Sequence, residues 1–197
     1  TARSRGLGDV YKRQGMVFYS SPNTGPKVTP GKYNIRLTYN NEEHNQEFEI
    51  VKDPRVSNSD EDYKKQLDFL LKVRDEVSRA NKVIIDIRKI KSDLDFLMEK
   101  VSDKVQIIDL IRKYKSDLDI IENNIHMTKN QSRQDPLNYG IRINNRIAFL
   151  LADSQRGDYP PTEQAQEFFE SIKGELNEEI SKFNRVLNTY TMQLNNM

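Results

Sequence analysis

The fold is decided by residues 59–130, which read SDEDYKKQLDFLLKVRDEVSRANKVIIDIRKIKSDLDFLMEKVSDKVQIIDLIRKYKSDLDIIENNIHMTKN. Apolar side chains recur there at steps of three and four residues with charge between them, the pattern of an amphipathic helix. The pattern breaks near Val101 and resumes, so it predicts a helical hairpin. Its apolar stripe comprises Leu67, Leu70, Val73, Val77, Ala80, Ile84, Ile87, Ile90, Leu94, Leu97, Val105, Ile108, Ile111, Leu118, Ile121 and Ile125.

Composition limits the class of protein. The chain has 197 residues, enough for one domain or for one domain and part of a second. Charged residues make up 31%, with both signs interspersed and a net charge of +1, unlike a nucleic-acid footprint or a polybasic membrane patch. No apolar run is long enough to span a bilayer. Cysteine is absent, which excludes disulfides and thiolate metal sites.

Capping signals place the ends of the first two helices. Ser59 precedes the acidic residues 60–62, which favours a helix start there and a first helix over about 60–99. Ser102, followed by Asp103, is the expected cap of a second helix that reaches about residue 130.

Two further helices complete a predicted antiparallel four-helix bundle over 56–197. Asp135 and Pro136 mark the start of the third helix, and Gly140 splits off a short first turn. Thr162 caps the fourth helix. Their expected core residues are Ile141, Ile147, Leu150 and Leu151, then Phe168 or Phe169, Ile172, Leu176, Ile180, Phe183, Leu187, Tyr190 and Leu194.

Residues 15–55 have strand character. Val17-Phe18-Tyr19 is a short strand candidate, and apolar residues alternate with polar ones over 33–39 and 47–50. Residues 40–43 form the expected hairpin turn. Because an isolated hairpin is marginal in water, we expect these to be the last strands of a truncated β-sandwich, immunoglobulin-like or fibronectin-like. A small sheet that packs only on the bundle is the alternative.

Residues 1–14 read TARSRGLGDVYKRQ and lack any period of helix or strand. The part GLGDVYKRQ resembles the translated sequencing-adapter tail at the ends of many metagenomic reading frames. We therefore expect a non-native tail, with an ordinary disordered terminus as the alternative. On the first interpretation the chain is a fragment that lacks its true N-terminal part.

The motifs indicate no catalytic, cofactor-binding or metal-binding residues. The two histidines are His44 and His126, and Glu122 precedes His126 by four residues without a second such pair, so a bundle di-metal site is not expected. No phosphate-binding glycine loop or nucleophile elbow occurs. The acidic pairs Asp93/Asp95 and Glu178/Glu179 are interpreted as solvated charge on helix faces.

Two other stretches allow two interpretations each. Residues 87–95, IRKIKSDLD, match residues 111–119, IRKYKSDLD, at all but one position. The echo indicates a duplicated contact surface or chance similarity between charged helices. Residues 134–145, QDPLNYGIRINN, are rich in asparagine and indicate either a structural corner or a docking surface.

The stretches GKYNIRLT (31–38), FEIVKDPR (48–55), SNSD (57–60) and DPLNYGIRINN (135–145) resemble the C-terminal end of a bacterial family. Its members are large proteins with BNR/Asp-box, sortilin-like β-propeller repeats, widespread in Bacteroidetes and often labelled glycosyl hydrolases. The resemblance covers about 15–197, outside the propeller, so it implies no catalytic residue here. At Gly140 the family pattern has proline.

The resemblance implies a non-catalytic C-terminal accessory or structural region of a secreted, periplasmic or envelope-associated protein. Its expected partner is the missing propeller or another protein, and any hydrolase activity would belong to the parent. The heptad-like stripes support an alternative, a stand-alone coiled-coil interaction module.

Overall fold

The computed structural model describes residues 25–130 and 134–196, and the predicted mainly α fold preceded by a strand pair is confirmed. The expected tail over 1–14 and the strand candidate at Val17-Phe18-Tyr19 lie outside the described residues. The elements are β1 (Gly31–Tyr39), β2 (Glu42–Ile50), α1 (Asp60–Lys100), α2 (Val105–Ile125), α3 (Pro136–Tyr139), α4 (Ile143–Ser154) and α5 (Glu163–Asn195).

The strands β1 and β2 form an antiparallel hairpin with a two-residue turn. Asn40 and Asn41 both have positive φ, 48° and 65°, the backbone of a type I′ turn that asparagine tolerates well. The predicted turn was too long, because Glu42 and Glu43 already pair with Tyr39 and Thr38 in the sheet.

The helix start predicted at Ser59 is confirmed, and Ser59 forms a capping box with Asp62 there. The backbone N–H of Asp62 donates to Ser59 Oγ at 3.2 Å, and the backbone N–H of Ser59 donates to Asp62 Oδ2 at 3.0 Å. The two bonds satisfy amide groups that the first helical turn leaves without an internal partner.

Ser102 does not cap the second helix, and that prediction was wrong. The backbone N–H of Val101 still donates to Leu97 O at 3.1 Å, and that of Lys104 donates to Val101 O at 2.9 Å. Residues 101–104 therefore form the corner between the two helices. Helix α2 begins at Val105 without a side-chain cap. It ends at Ile125, earlier than expected, because His126 adopts an extended backbone (φ −135°, ψ 134°).

Helices α2 and α4 lie one after the other along α1. In the C-terminal half of α1, Arg88 contacts Glu122, which lies near the end of α2. Near the start of α1, the Gln66 side-chain amide donates to the backbone oxygen of Ser154, at the end of α4, at 3.0 Å. Both short helices therefore run antiparallel to α1 and together form one interrupted column.

Helix α5 contacts the same column from the other side. Tyr190 near its end donates to Asp117 of α2 at 2.6 Å, and Glu175 nearer its start receives Arg146 of α4 at 2.7 Å. Helix α5 is thus parallel to α1, and each runs antiparallel to the interrupted column.

The core lies between these helices and agrees with most of the predicted stripe. Phe169, not Phe168, is the buried member of its pair and meets Phe69 edge-to-face with ring centroids 5.6 Å apart. Ile141 was wrongly predicted to be buried, since it precedes α4 and is exposed. The fully buried large side chains are Leu70, Val73, Val77, Ile84, Ile87, Ile111, Leu118, Ile125, Ile147, Ile172 and Leu176.

Candidate functional site

A cluster of buried polar side chains lies where the column breaks between α2 and α4. Helix ends leave backbone N–H and C=O groups without helical partners, and here two such ends face the interior of a bundle. Short polar side chains suit that place. The cluster comprises Asn81 of α1, His126 and Asn130 after α2, and Asn144 and Asn145 in the first turn of α4.

His126 is held neutral in this cluster. The pKa of His126 is lowered from 6.5 to about 4, mainly by burial and next by the nearby Arg88 guanidinium, whose effect exceeds the opposing effect of Glu122. The Asn144 amide Nδ2 lies 3.5 Å from His126 Nδ1 and 3.4 Å from Asn81 Oδ1. Because Asn144 Nδ2 is a donor, we assign the ring proton to Nε2. A neutral ring hydrogen-bonded in this way is a structural group.

Glu122 is the more deeply buried of the two buried carboxylates in the described part of the bundle. Its two oxygens accept from Arg88 Nε at 2.6 Å and from Lys91 Nζ at 3.1 Å, both on α1. Arg88 and Lys91 keep part of their side chains in solvent, while Glu122 is almost wholly covered. The charge of Glu122 is therefore compensated within the bundle, and its oxygens are occupied.

The repeated nine residues form a reciprocal ladder of ion pairs. Lys91 and Asp95 in the first copy correspond to Lys115 and Asp119 in the second. In the structure Lys91 pairs with Asp119, and Lys115 pairs with Asp95. The two copies therefore face each other antiparallel, each supplying the base that the other's acid needs. The echo is a contact surface between α1 and α2.

The asparagine-rich corner serves the bundle on one side and solvent on the other. Pro136 starts the short helix α3 as predicted, and Gly140 ends it with φ 73°. Proline cannot adopt that φ, so the proline of the family pattern does not fit the corner in this chain. Leu137 and Tyr139 are exposed, whereas Asn144 and Asn145 point inward.

A cleft of about 350 Å³ opens beside the start of α4. Charged side chains that line the cleft pair with each other, since the Arg146 guanidinium donates to both oxygens of Glu175 at 2.7 and 3.0 Å. Glu179 accepts from Lys182 at 2.6 Å and from Asn124 at 3.2 Å. The lining consists of Asn124, Ile141, Arg142, Ile143, Arg146, Glu175, Glu178 and Glu179.

The acidic pairs noted in the sequence do not all lie in solvent. Glu179 is buried against Lys182 and Asn124, so its interpretation as solvated charge was wrong, whereas Asp95 is exposed and pairs with Lys115 at the surface. Across residues 25–130 and 134–196, no group of three His, Asp or Glu side chains could hold a metal ion. His44 lies apart from His126, in the exposed half of β2 near the turn.

One face of the hairpin carries a row of exposed apolar side chains. Tyr33, Ile35, Leu37 and Tyr39 of β1 point to the same side, and the last three are 56, 60 and 70% exposed. Phe48 of β2 lies beside Tyr33, with ring centroids 5.7 Å apart. Neither strand contacts a helix in the described part of the chain. The alternative of a sheet that packs on the bundle therefore has no support in the contacts.

Comparisons with protein-family models, with curated proteins and with solved structures returned no match for this chain. Among the described helices, none is both long and apolar enough to cross a membrane.

Proposed function

We propose that this chain is a non-catalytic accessory region that attaches a helical bundle to a β-rich host. The host is a secreted, periplasmic or envelope-associated protein of the BNR/Asp-box, sortilin-like β-propeller kind, as the resemblance over 15–197 suggests. The proposal is carried by one observation, the apolar hairpin face that none of the described helices covers.

The two faces of the hairpin differ in the way that a sandwich requires. Along β1, the residues Lys32, Asn34, Arg36 and Thr38 lie opposite to the apolar face, and their partners on β2 are Glu49, Glu47, Asn45 and Glu43. One face is thus polar on both strands, whereas the other is apolar along β1 and at Phe48 of β2. Antiparallel sheets with this division bury their apolar face against another sheet or a helix.

The bundle supports a structural role because its buried carboxylates are paired with basic side chains within it. Glu122 is saturated by Arg88 and Lys91, and His126 is neutral and buried. We therefore assign any hydrolase activity to the parent protein and none to this region.

The alternative function, a stand-alone coiled-coil interaction module, relied on the heptad-like stripes. Those stripes are used within the bundle, where Val73, Ile84, Leu118 and Leu176 are fully buried. A helical partner would have to use the remaining exposed apolar residues, such as Phe96 and Ile120, which favours the accessory role.

The test begins with the genomic DNA upstream of the codon for Gly15. We expect an open frame that encodes repeated short strands with Asp-box turns, and a start codon close to Gly15 would overturn the proposal. The encoded β-rich part is then mixed with this chain. Leu37→Asp should abolish binding, and Thr38→Asp, on the polar face of the same strand, should leave it intact.

A further inference from the structure

We infer that the free edge of β1 pairs antiparallel with β1 of a second copy of this chain, which joins two hairpins into one four-stranded sheet. This goes beyond the proposed function, because it uses the edge of β1 and leaves the apolar face available to a host. Among the described residues, β2 is the one strand paired with β1, so no described strand occupies the opposite edge of β1.

The two edges of the hairpin differ in polarity. Toward the turn, β2 is polar on both faces, with Glu42, His44 and Gln46 on one side and Glu43 and Glu47 on the other. Charged residues on an edge strand prevent further pairing, and two β2 edges would repel each other. Strand β1 instead alternates fully between apolar and polar residues, as a strand inside a sheet does.

The turn determines which backbone groups of β1 point outward. In a two-residue hairpin, the pair that flanks the turn is hydrogen-bonded, and bonded and non-bonded pairs then alternate. Tyr39 and Glu42 flank the turn, so the odd-numbered residues of β1 bond to β2. The N–H and C=O groups of Lys32, Asn34, Arg36 and Thr38 therefore face the free edge.

One register makes this edge complementary to itself. With Ile35 opposite the partner's Ile35, Tyr33 lies opposite the partner's Leu37, and Gly31 lies beside the partner's Tyr39. On the polar face, Lys32 lies opposite the partner's Thr38, and Arg36 opposite the partner's Asn34. Every apolar residue then meets an apolar residue or glycine, and no two like charges are opposed.

Neighbouring registers are worse for a physical reason. A slip of two residues in one direction places Lys32 opposite the partner's Arg36. The same slip in the other direction places Arg36 opposite the partner's Arg36, and like charges directly opposite are destabilising. A slip of one residue turns the apolar residues to the charged face. The charges of β1 thus favour this alignment with a second copy over the neighbouring registers.

Sedimentation equilibrium of the full chain tests the pairing. We expect the mass to rise with concentration from 23.1 kDa toward twice that value. Asn34→Pro removes an outward N–H of β1 and should weaken the dimer at least tenfold. Asn45→Pro is the matched control, because Asn45 occupies the corresponding outward position on β2, and it should leave the dimer unchanged. A monomer at all concentrations, or equal effects of the two prolines, would overturn the inference.

A mixing experiment tests the register. Ile35→Lys and Ile35→Glu should each be monomeric, since equal charges would meet on the two-fold axis, and the two variants mixed together should form a heterodimer. Gln46→Lys, across the hairpin from Ile35 on the same face, should dimerise like the wild type. Failure of the mixture to associate would exclude this register. These outcomes are independent of the host, so they cannot be confused with failure of the proposed function.

Discussion

The hairpin and the bundle both have regularly spaced apolar residues, but these residues are buried in the bundle and exposed in the hairpin. In the bundle, Ile84 and Leu118 are separated widely in sequence and are both fully buried. In the hairpin, Ile35 and Leu37 alternate just as regularly, yet more than half of each side chain is exposed. Periodicity therefore shows which face is apolar, whereas burial depends on whether the chain also supplies the opposite layer. The bundle supplies its own, and the hairpin requires another chain or segment.

The largest expected difference between the two regions concerns large-to-small substitutions. Ile84→Ala should lower the free energy of unfolding by about 4 kcal/mol, because it removes buried methyl groups and leaves a cavity. Leu37→Ala in the hairpin should leave it within about 0.5 kcal/mol. Urea denaturation at a protein concentration that keeps the chain monomeric measures both. Equal losses would mean that the hairpin is part of the cooperative core.

The two histidines should differ in their effect on acid stability. With a pKa of about 4 when folded and 6.5 when unfolded, His126 binds its proton first in the unfolded chain. Above about pH 6.5 the ring is neutral in both states, and stability does not depend on it. As the pH falls toward 4, the unfolded chain binds the proton first, so the free energy of unfolding falls by about 3 kcal/mol. Unfolding free energies across pH 4–7 should lose this part of their slope in His126→Asn. The control His44→Asn, in the hairpin, should retain the wild-type slope.

Removing an arginine should matter in the bundle and not in the hairpin. Arg88→Met leaves the buried Glu122 with Lys91 alone, and we expect a loss of about 2 kcal/mol, below that of a fully abandoned buried charge. Arg36→Met removes an exposed pair with Glu43 at 3.8 Å and should have no measurable effect on unfolding. Chemical denaturation compares the two variants. An unchanged free energy of unfolding in Arg88→Met would show that Glu122 does not need its ion pair with Arg88.

The smallest effect should follow from removing the hairpin altogether. Residues 56–197 should still unfold in one cooperative transition, with a midpoint within a few degrees of that of the full chain, since β1 and β2 contact none of the described helices. Thermal melts followed by circular dichroism test this. A broad, non-cooperative melt of 56–197 would show that the bundle depends on the strands.

Local signals in the sequence predicted most helix and strand positions. Ser59 and Thr162 cap the helices that they were expected to cap, and Pro136 and Gly140 delimit the short helix α3. The prediction at Ser102 failed because Ser102 lies within the corner 101–104 and the helix begins only at Val105. Nothing local distinguishes a serine that ends a corner from one within it.

The buried polar cluster could not be predicted, because its members are far apart in the chain. Asn81 and Asn144 meet only because α4 continues the column where α2 stops. A signal was nevertheless present in the echo. Had the two copies been placed antiparallel, Lys91 would have been matched with Asp119 and Lys115 with Asp95, which gives the alignment of α1 on α2.

That ladder also bears on how the helical hairpin avoids misfolding. If α2 slid by one helical turn toward either end, Lys91 would face Lys115, or Asp95 would face Asp119. The apolar stripe alone would tolerate such a slide, since leucine and isoleucine recur at every turn. The charges of the repeated IRKxKSDLD segment therefore raise the free energy of misaligned hairpins that hydrophobic burial alone would accept, and so favour the native alignment of α1 and α2.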